Sequence, residues 1–407
     1  MGRGLVLLTK DVLRSDYLSC YNSEAVIRTP HIDQLAEEGI KFNNFYSSAP
    51  STAMAVTCMF SGLNAYELER KSYRPVDQFT QASTLFNEFE KSGTQTFVIW
   101  PKEFENLAYV YSKVFDESTS IHYAPAGGAV WATPHNSGLK SPDNNYDLTQ
   151  YIVDYLHSIQ EKCQGNWFVW CHCPHIFFPC LSYGSDIAIF DDLVGRINRE
   201  IEAEIILSGD HGHMGGHKGK LVYGFHLYEP AIKVPLIIPK WISSEPIDFP
   251  VGQNQLKDII LSKEICKQEY IFSDTKYYEQ PGRVLMIRSG NFKYIYNKSD
   301  KSEELYDLKY DKSENINLLV DLWPDFDRNG SYLLDQVVHY PDWDSAHEKY
   351  LLLKREKDRV WRDGSMKMHV LHLLNEMKKA GLSSLIKKKP KPYVTKGRWG
   401  SRARINL

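Results

Sequence analysis

Long apolar runs are missing from this sequence. No segment approaches the ~20 consecutive apolar residues that cross a bilayer. The N-terminal run Leu5 to Leu8 has four residues, where a signal-peptide core needs roughly 7–15. The expectation that follows is a cytoplasmic protein. Cysteine is sparse and odd in number, seven residues at 20, 58, 163, 171, 173, 180 and 266, which suits scattered thiols better than a disulfide framework. Glycine (25) and proline (19) are too few for a collagen-like or low-complexity chain. There are no internal repeats and no nucleic-acid motif.

What remains is an ordinary globular composition, 43% hydrophobic and 24% charged over 407 residues. That length supports one large core, or a large core with a small satellite. The charge is uneven. Eight lysines and three arginines against one glutamate give the stretch from Met366 to Leu407 a charge of +10, leaving −13 for the rest of a chain whose net charge is −3. A lysine-rich end is ordinarily a solvated tail, and contact with an anionic surface is its alternative use.

Periodicity places the elements. Gly4 to Thr9, Thr96 to Trp100, Trp167 to Trp170, Ala203 to Ser208 and Val234 to Ile238 are short and wholly apolar, as strands covered on both faces are. Pro30 opens and Gly39 closes a helix. Asp186 to Ile201 has helical spacing, and a further helix is expected from Ala53 to Phe60. Strands alternating with helices predict an α/β fold, a sheet with helices on both faces. After about residue 265 the pattern turns antiparallel. Val284–Arg288 and Phe292–Tyr296 read as a hairpin with the three-residue loop Ser289–Asn291, and Glu304–Leu308 as another strand. Residues 340 to 380 read as helical. The division expected is a domain over 1–265, a small antiparallel subdomain over 266–340, and a helical segment with a basic tail over 341–407.

In an open α/β sheet, ligands gather at the carboxyl ends of the strands. Polar groups stand just past three predicted strands: Asp11, then His172 and His175, then Asp210 with His211. Two carboxylates and an imidazole converging there suit a divalent cation. The alternative for Asp11 and for Asp210-His211-Gly212 is a simple turn.

These segments together resemble the sulfatase family of the alkaline phosphatase superfamily. Leu7-Leu-Thr-Lys-Asp11 with Arg14 and Asp16 resembles its opening strand and metal aspartate. The helix beginning Thr29-Pro-His-Ile-Asp33 resembles the one that follows. Ser208-Gly-Asp210-His211-Gly212, Leu227-Tyr-Glu229, Val234–Ile238 and Glu304-Leu-Tyr-Asp-Leu308 resemble the later segments, in order. The resemblance implies a three-layer α/β/α sandwich of alkaline-phosphatase type with a smaller C-terminal α+β part. It also implies hydrolysis of sulfate or phosphate/phosphonate esters with one divalent metal ion, Ca²⁺, Mn²⁺ or Zn²⁺.

Two departures from the family pattern shape the expectation. Family members that carry formylglycine have Cys or Ser followed two residues later by Pro-Ser-Arg, with Gly ten positions after the nucleophile. Ten residues before Gly62 stands Thr52, followed by Ala53, Met54 and Ala55, so no formylglycine is expected. Threonine there resembles the phosphoester- and phosphonate-processing relatives, and Thr52 is the expected nucleophile, with Ser51 its neighbouring rival. The alternative is that Ser51 and Thr52 only cap the helix. Lys10 occupies a place where many arylsulfatases have a further aspartate. The ligands the resemblance implies are Asp11, Thr52, Asp210 and His211. It also implies that His175 contacts the substrate's oxygens. His217, Lys220, His226 and Arg14 would assist binding, although a pair with Asp16 or Asp33 is the other use for Arg14. Cys171, Cys173, His175 and Cys180 match no standard zinc spacing, and buried thiols are the alternative. The substrate expected is a small-molecule or glycan ester. Transfer to a polysaccharide or lipid head group, and a catalytically degenerate anion- or glycan-binding homologue, stand beside hydrolysis.

Overall fold

The computed structural model describes residues 3–68, 83–101, 119–124, 148–174, 183–275, 282–319 and 345–361. His175, Cys180 and the basic tail lie outside these residues. The chain divides into two compact units, Met1–Arg355 and Glu356–Leu407. In the first, residues 345–355 are helical; in the second, 356–361 are helical.

The centre of the first unit is a seven-stranded sheet. Its middle strand is β1 (Gly4–Lys10). The neighbouring elements follow in chain order: α1 (Pro30–Glu38), β2 (Ile40–Lys41), β3 (Phe45–Tyr46), α2 (Thr52–Ser61), α3 (Leu85–Lys91), β4 (Gln95–Pro101) and β5 (Ser120–Ala124). Then come α4 (Leu148–Lys162), β6 (Trp167–Cys173), α5 (Tyr183–Glu200), β7 (Ala203–Gly209), α6 (Glu229–Ile232), β8 (Lys233–Val234), β9 (Leu236–Ile238), β10 (Val251–Gly252) and α7 (Leu256–Ser262). The sheet runs β2-β9-β7-β1-β6-β4-β5. The pairs from β7 to β5 are parallel and those at the β9 and β2 edge antiparallel.

Side chains alternate across a strand, and both faces of this sheet are apolar. Leu7, Val98, Trp100, Phe168, Trp170 and Ile206 meet α2, α3 and α7 on one face. Val6, Leu8, Ile99, Val169, Cys171, Ile205 and Leu207 meet α1, α4 and α5 on the other. This is the α/β/α sandwich expected from the unbroken apolar runs. Full burial of each such side chain contributes ~1.5–3 kcal/mol. Phe60 of α2 seals its face edge-on against Trp170 and Phe86, each 4.9 Å away.

Two local expectations are corrected. The run Val234–Ile238 is two strands, because Pro235 has no N–H to donate to a ladder. Before it, β8 pairs with β3 in a three-stranded sheet; after it, β9 pairs with β7. The hairpin formed by β12 (Val284–Ser289) and β13 (Phe292–Asn297) turns on two residues, not three. Ser289 pairs Phe292, and Gly290 takes φ 57°. With β11 (Ile271–Asp274) and β14 (Glu303–Asp307) they form a four-stranded antiparallel sheet within the first unit.

A candidate metal and ester site at the strand ends

Register brings the site together. Lys10, the last residue of β1, stands level with Cys173 of β6 and Gly209 of β7. The next residues of β1 and β7, Asp11 and Asp210, therefore leave the sheet side by side. Asp11 N–H donates to Cys173 O at 2.8 Å, and Asp210 N–H to Lys10 O at 3.4 Å. Asp11 is 5% exposed, Asp210 and His211 not at all. One ligand atom from each of the three lies within 4.8 Å of the others.

Asp210 is fixed at every atom but one. Its Oδ1 accepts from Val12 N–H at 3.0 Å and His211 N–H at 2.7 Å. Its carbonyl accepts from Ser47 Oγ at 2.6 Å and Gln253 Nε2 at 2.9 Å. Its Oδ2 is buried without a hydrogen-bond partner, 3.6 Å from His211 Nε2. His211 Nδ1 lies 2.8 Å from Gly212 O. A carbonyl only accepts, so Nδ1 carries the proton and Nε2 turns its lone pair to the carboxylates. Gly212 is required there, since a Cβ would collide with the Pro230 carbonyl. Burial, reinforced by Asp210, holds the Asp11 carboxyl above its ordinary pKa. Two buried carboxylates, one with an orphaned oxygen, and an imidazole lone pair form a donor set suited to a divalent cation.

Thr52 joins this cluster from the first turn of α2. Its Oγ1 is 3.2 Å from His211 Nε2 and 3.4 Å from Asp11 Oδ1. Ser51 takes the N-cap position in extended conformation but makes no side-chain cap bond, and its Oγ is buried without a partner. The two hydroxyls do not cap the helix. Gly62 ends it with φ 77°.

The remaining expected residues are placed unevenly. Lys10 gives its ammonium to Asp186 of α5 at 2.7 Å and to Pro174 O. Arg14 is held by Asp16 at 2.6 Å and reaches His213 O at 3.2 Å. His217 lies 4.0 Å from Glu314 and beside Tyr228. Lys220 and His226 line a cavity of about 420 Å³ with Phe225, Tyr228, Ile295 and Glu304, against the small sheet. No described contact joins His217, Lys220 or His226 to Thr52 or to the acidic cluster. Cys171 and Cys173 are buried thiols 3.9 Å apart, packed among the side chains of the α4 and α5 face.

Sequence reasoning missed three contributors: Ser47, Gln253 and Tyr223, whose ring lies 4.7 Å from that of His211. Each is far from Asp210 in sequence or in an irregular loop, and no spacing marks it.

Residues 3–178 match the family model described as Sulfatase. An arylsulfatase of Clostridium perfringens (strain 13 / Type A) is 30% identical over 96 residues, 24% of this chain and 20% of that protein. The chain thus aligns with about a fifth of the length of this curated relative. Among solved structures, the phosphonate monoester hydrolase of Agrobacterium radiobacter superposes with a TM-score of 0.62 at 14% identity, covering 87% of this chain and 96% of that one. A 2-O GAG sulfatase gives 0.61 at 15% identity, covering 89% and 93%. At these identities the likeness is one of fold. The family match spans the segments of Asp11 and Thr52, and the fold likeness extends beyond it.

Proposed function

We propose that this chain is a metal-dependent ester hydrolase of sulfatase type, with Thr52 as the nucleophile and no formylglycine. The observation that carries the reading is the position of Thr52 Oγ1, within 3.4 Å of both Asp11 and His211 at the start of a helix. Asp11, Asp210 and His211 would hold one divalent cation, with the Thr52 oxygen as a fourth donor. When bound, such an ion withdraws charge from an ester's oxygens and makes a hydroxyl a better nucleophile.

The chain's own residues supply the rest. Asp11 Oδ1 accepts the single Thr52 hydroxyl proton and orients it, which leaves the His211 Nε2 lone pair for the cation. Unpaired N–H groups in the first turn of α2 face an incoming anion favourably. Thr52 Oγ1 bonds to the sulfur or phosphorus as the bond to the leaving oxygen breaks, and the hydroxyl proton ends on the departing alcohol. Water then cleaves the Thr52 ester, restoring the hydroxyl and releasing the sulfate, phosphate or phosphonate anion. The threonine, and the fold shared with a phosphonate monoester hydrolase, favour phosphate or phosphonate esters. The fold shared with a 2-O GAG sulfatase favours a sulfated glycan. His175 would contact the ester in either case.

A panel of 4-nitrophenyl sulfate, phosphate, phosphodiester and phosphonate, each with Ca²⁺, Mn²⁺ or Zn²⁺, tests this. The expected result is metal-dependent release on at least one ester, abolished by Thr52→Ala. Release that survives Thr52→Ala at full rate would refute the assignment.

A further inference from the structure

His172 is the penultimate residue of β6 and 2% exposed. Strand alternation puts its side chain on the face of Phe168 and Trp170, the face covered by α2, whose first residue is Thr52. The Trp100 ring stacks on it at 5.0 Å and 20°. Two neighbours fix its protons. Trp170 Nε1–H, which can only donate, gives its proton to Thr9 Oγ1 at 2.8 Å. Thr9 Oγ1 is in turn 2.9 Å from His172 Nδ1. Among the described residues that nitrogen is the one acceptor for the Thr9 hydroxyl proton. The ring therefore accepts at Nδ1 and carries its hydrogen on Nε2.

Burial pushes the His172 pKa down to about 4, so the ring is neutral and the tautomer defined. Its Nε2 is buried and makes no hydrogen bond. An unpaired buried N–H is costly, and one that persists marks a place where an acceptor arrives. Asp11, Lys10 and His211 act on it electrostatically, the first and last belonging to the acidic cluster. Lys10 is engaged by Asp186. His211 has the opposite tautomer, a lone pair on Nε2. One histidine thus offers a lone pair to a cation, while the other offers an N–H that no cation can use.

We propose that His172 Nε2–H is a hydrogen-bond donor to the anionic oxygens of the group bound at this site, a role that rests on the ester-hydrolase reading. The test uses the full chain, histidine-¹⁵N-labelled, with His172→Gln and His172→Phe. In metal-free wild type, the long-range ¹H–¹⁵N spectrum should show His172 neutral and protonated at Nε2 near neutral pH. In metal-loaded protein, inorganic vanadate should shift that resonance. His172→Phe should weaken vanadate roughly 10- to 100-fold with unchanged metal content, and His172→Gln, which keeps an N–H, should recover most of the affinity. An Nδ1–H tautomer, equal vanadate affinity in the Phe variant, or loss of metal from it would overturn the assignment. If the Phe variant does not fold, the wild-type spectrum and the Gln variant still decide. Vanadate binding that depends on His172 in a protein inert toward every ester would end the hydrolase reading and leave the donor standing. Turnover and vanadate affinity unaffected in the Phe variant would do the reverse.

Discussion

At the scale of single residues, the site is an arrangement of atoms left over once local bonding is complete. Asp210 spends Oδ1 on two backbone N–H groups and keeps Oδ2 unpaired. Asp210→Asn keeps the Oδ1 bonds and removes the charge. It should weaken metal binding by more than the ~10–100-fold typical of losing a supporting contact, as read by titration of the metal-free protein. Gln253 is such a support, bonding Gly209 O and Asp210 O from a distant segment. Gln253→Ala should fall within that ~10–100-fold range in metal affinity or activity, with the fold retained. Asp11, Asp210 and His211 were legible in the sequence because each directly follows an apolar strand. Gln253, Ser47 and Tyr223 were not. What places them is tertiary packing between separate segments, up to 206 residues apart, and neither their types nor their neighbours carry a pattern.

At the scale of elements, the strands were legible because burial on both faces leaves no polar position to blur the run. Pro235 was the misleading exception, since a continuous apolar stretch hides a switch of sheets. The small sheet is joined to α6 by a buried charge network that no periodicity announces. Lys293, unexposed, lies 2.7 Å from Glu314 and 2.9 Å from Glu229. Lys293→Met would leave the buried Glu314 and the partly buried Glu229 facing one another and should destabilise the fold by ~3–5 kcal/mol, measured as a shift in urea midpoint. Burial, opposed by Lys293 and reinforced by Glu229, raises the Glu314 pKa to about 7. The folded state thus binds this proton more tightly than the unfolded chain, whose Glu titrates in the ordinary range. The contribution is complete at low pH and is lost as pH rises through about 7. Glu314→Gln should therefore flatten the fall in stability between about pH 5 and pH 8, a comparison made by denaturant titration across that range.

At the scale of the whole molecule, the parallel order β7-β1-β6 delivers Asp11, Asp210 and His172 to one edge, and α2 brings Thr52 across to meet them. The sheet, its two covered faces and this convergence could be read from the order of apolar runs. The cavity that holds Lys220 and His226 against the small sheet could not, because it depends on how a glycine-rich loop folds back on distant strands. No described helix is long and apolar enough to cross a membrane. Thr52 is the proposed acceptor of the transferred group. Rapid acid quench of the metal-loaded chain during turnover of its best ester, followed by peptide mass mapping, tests it most directly. Added sulfate, phosphate or phosphonate is expected on Thr52, and none in Thr52→Ala. The same adduct on Ser51, or full turnover by Thr52→Ala, would contradict it.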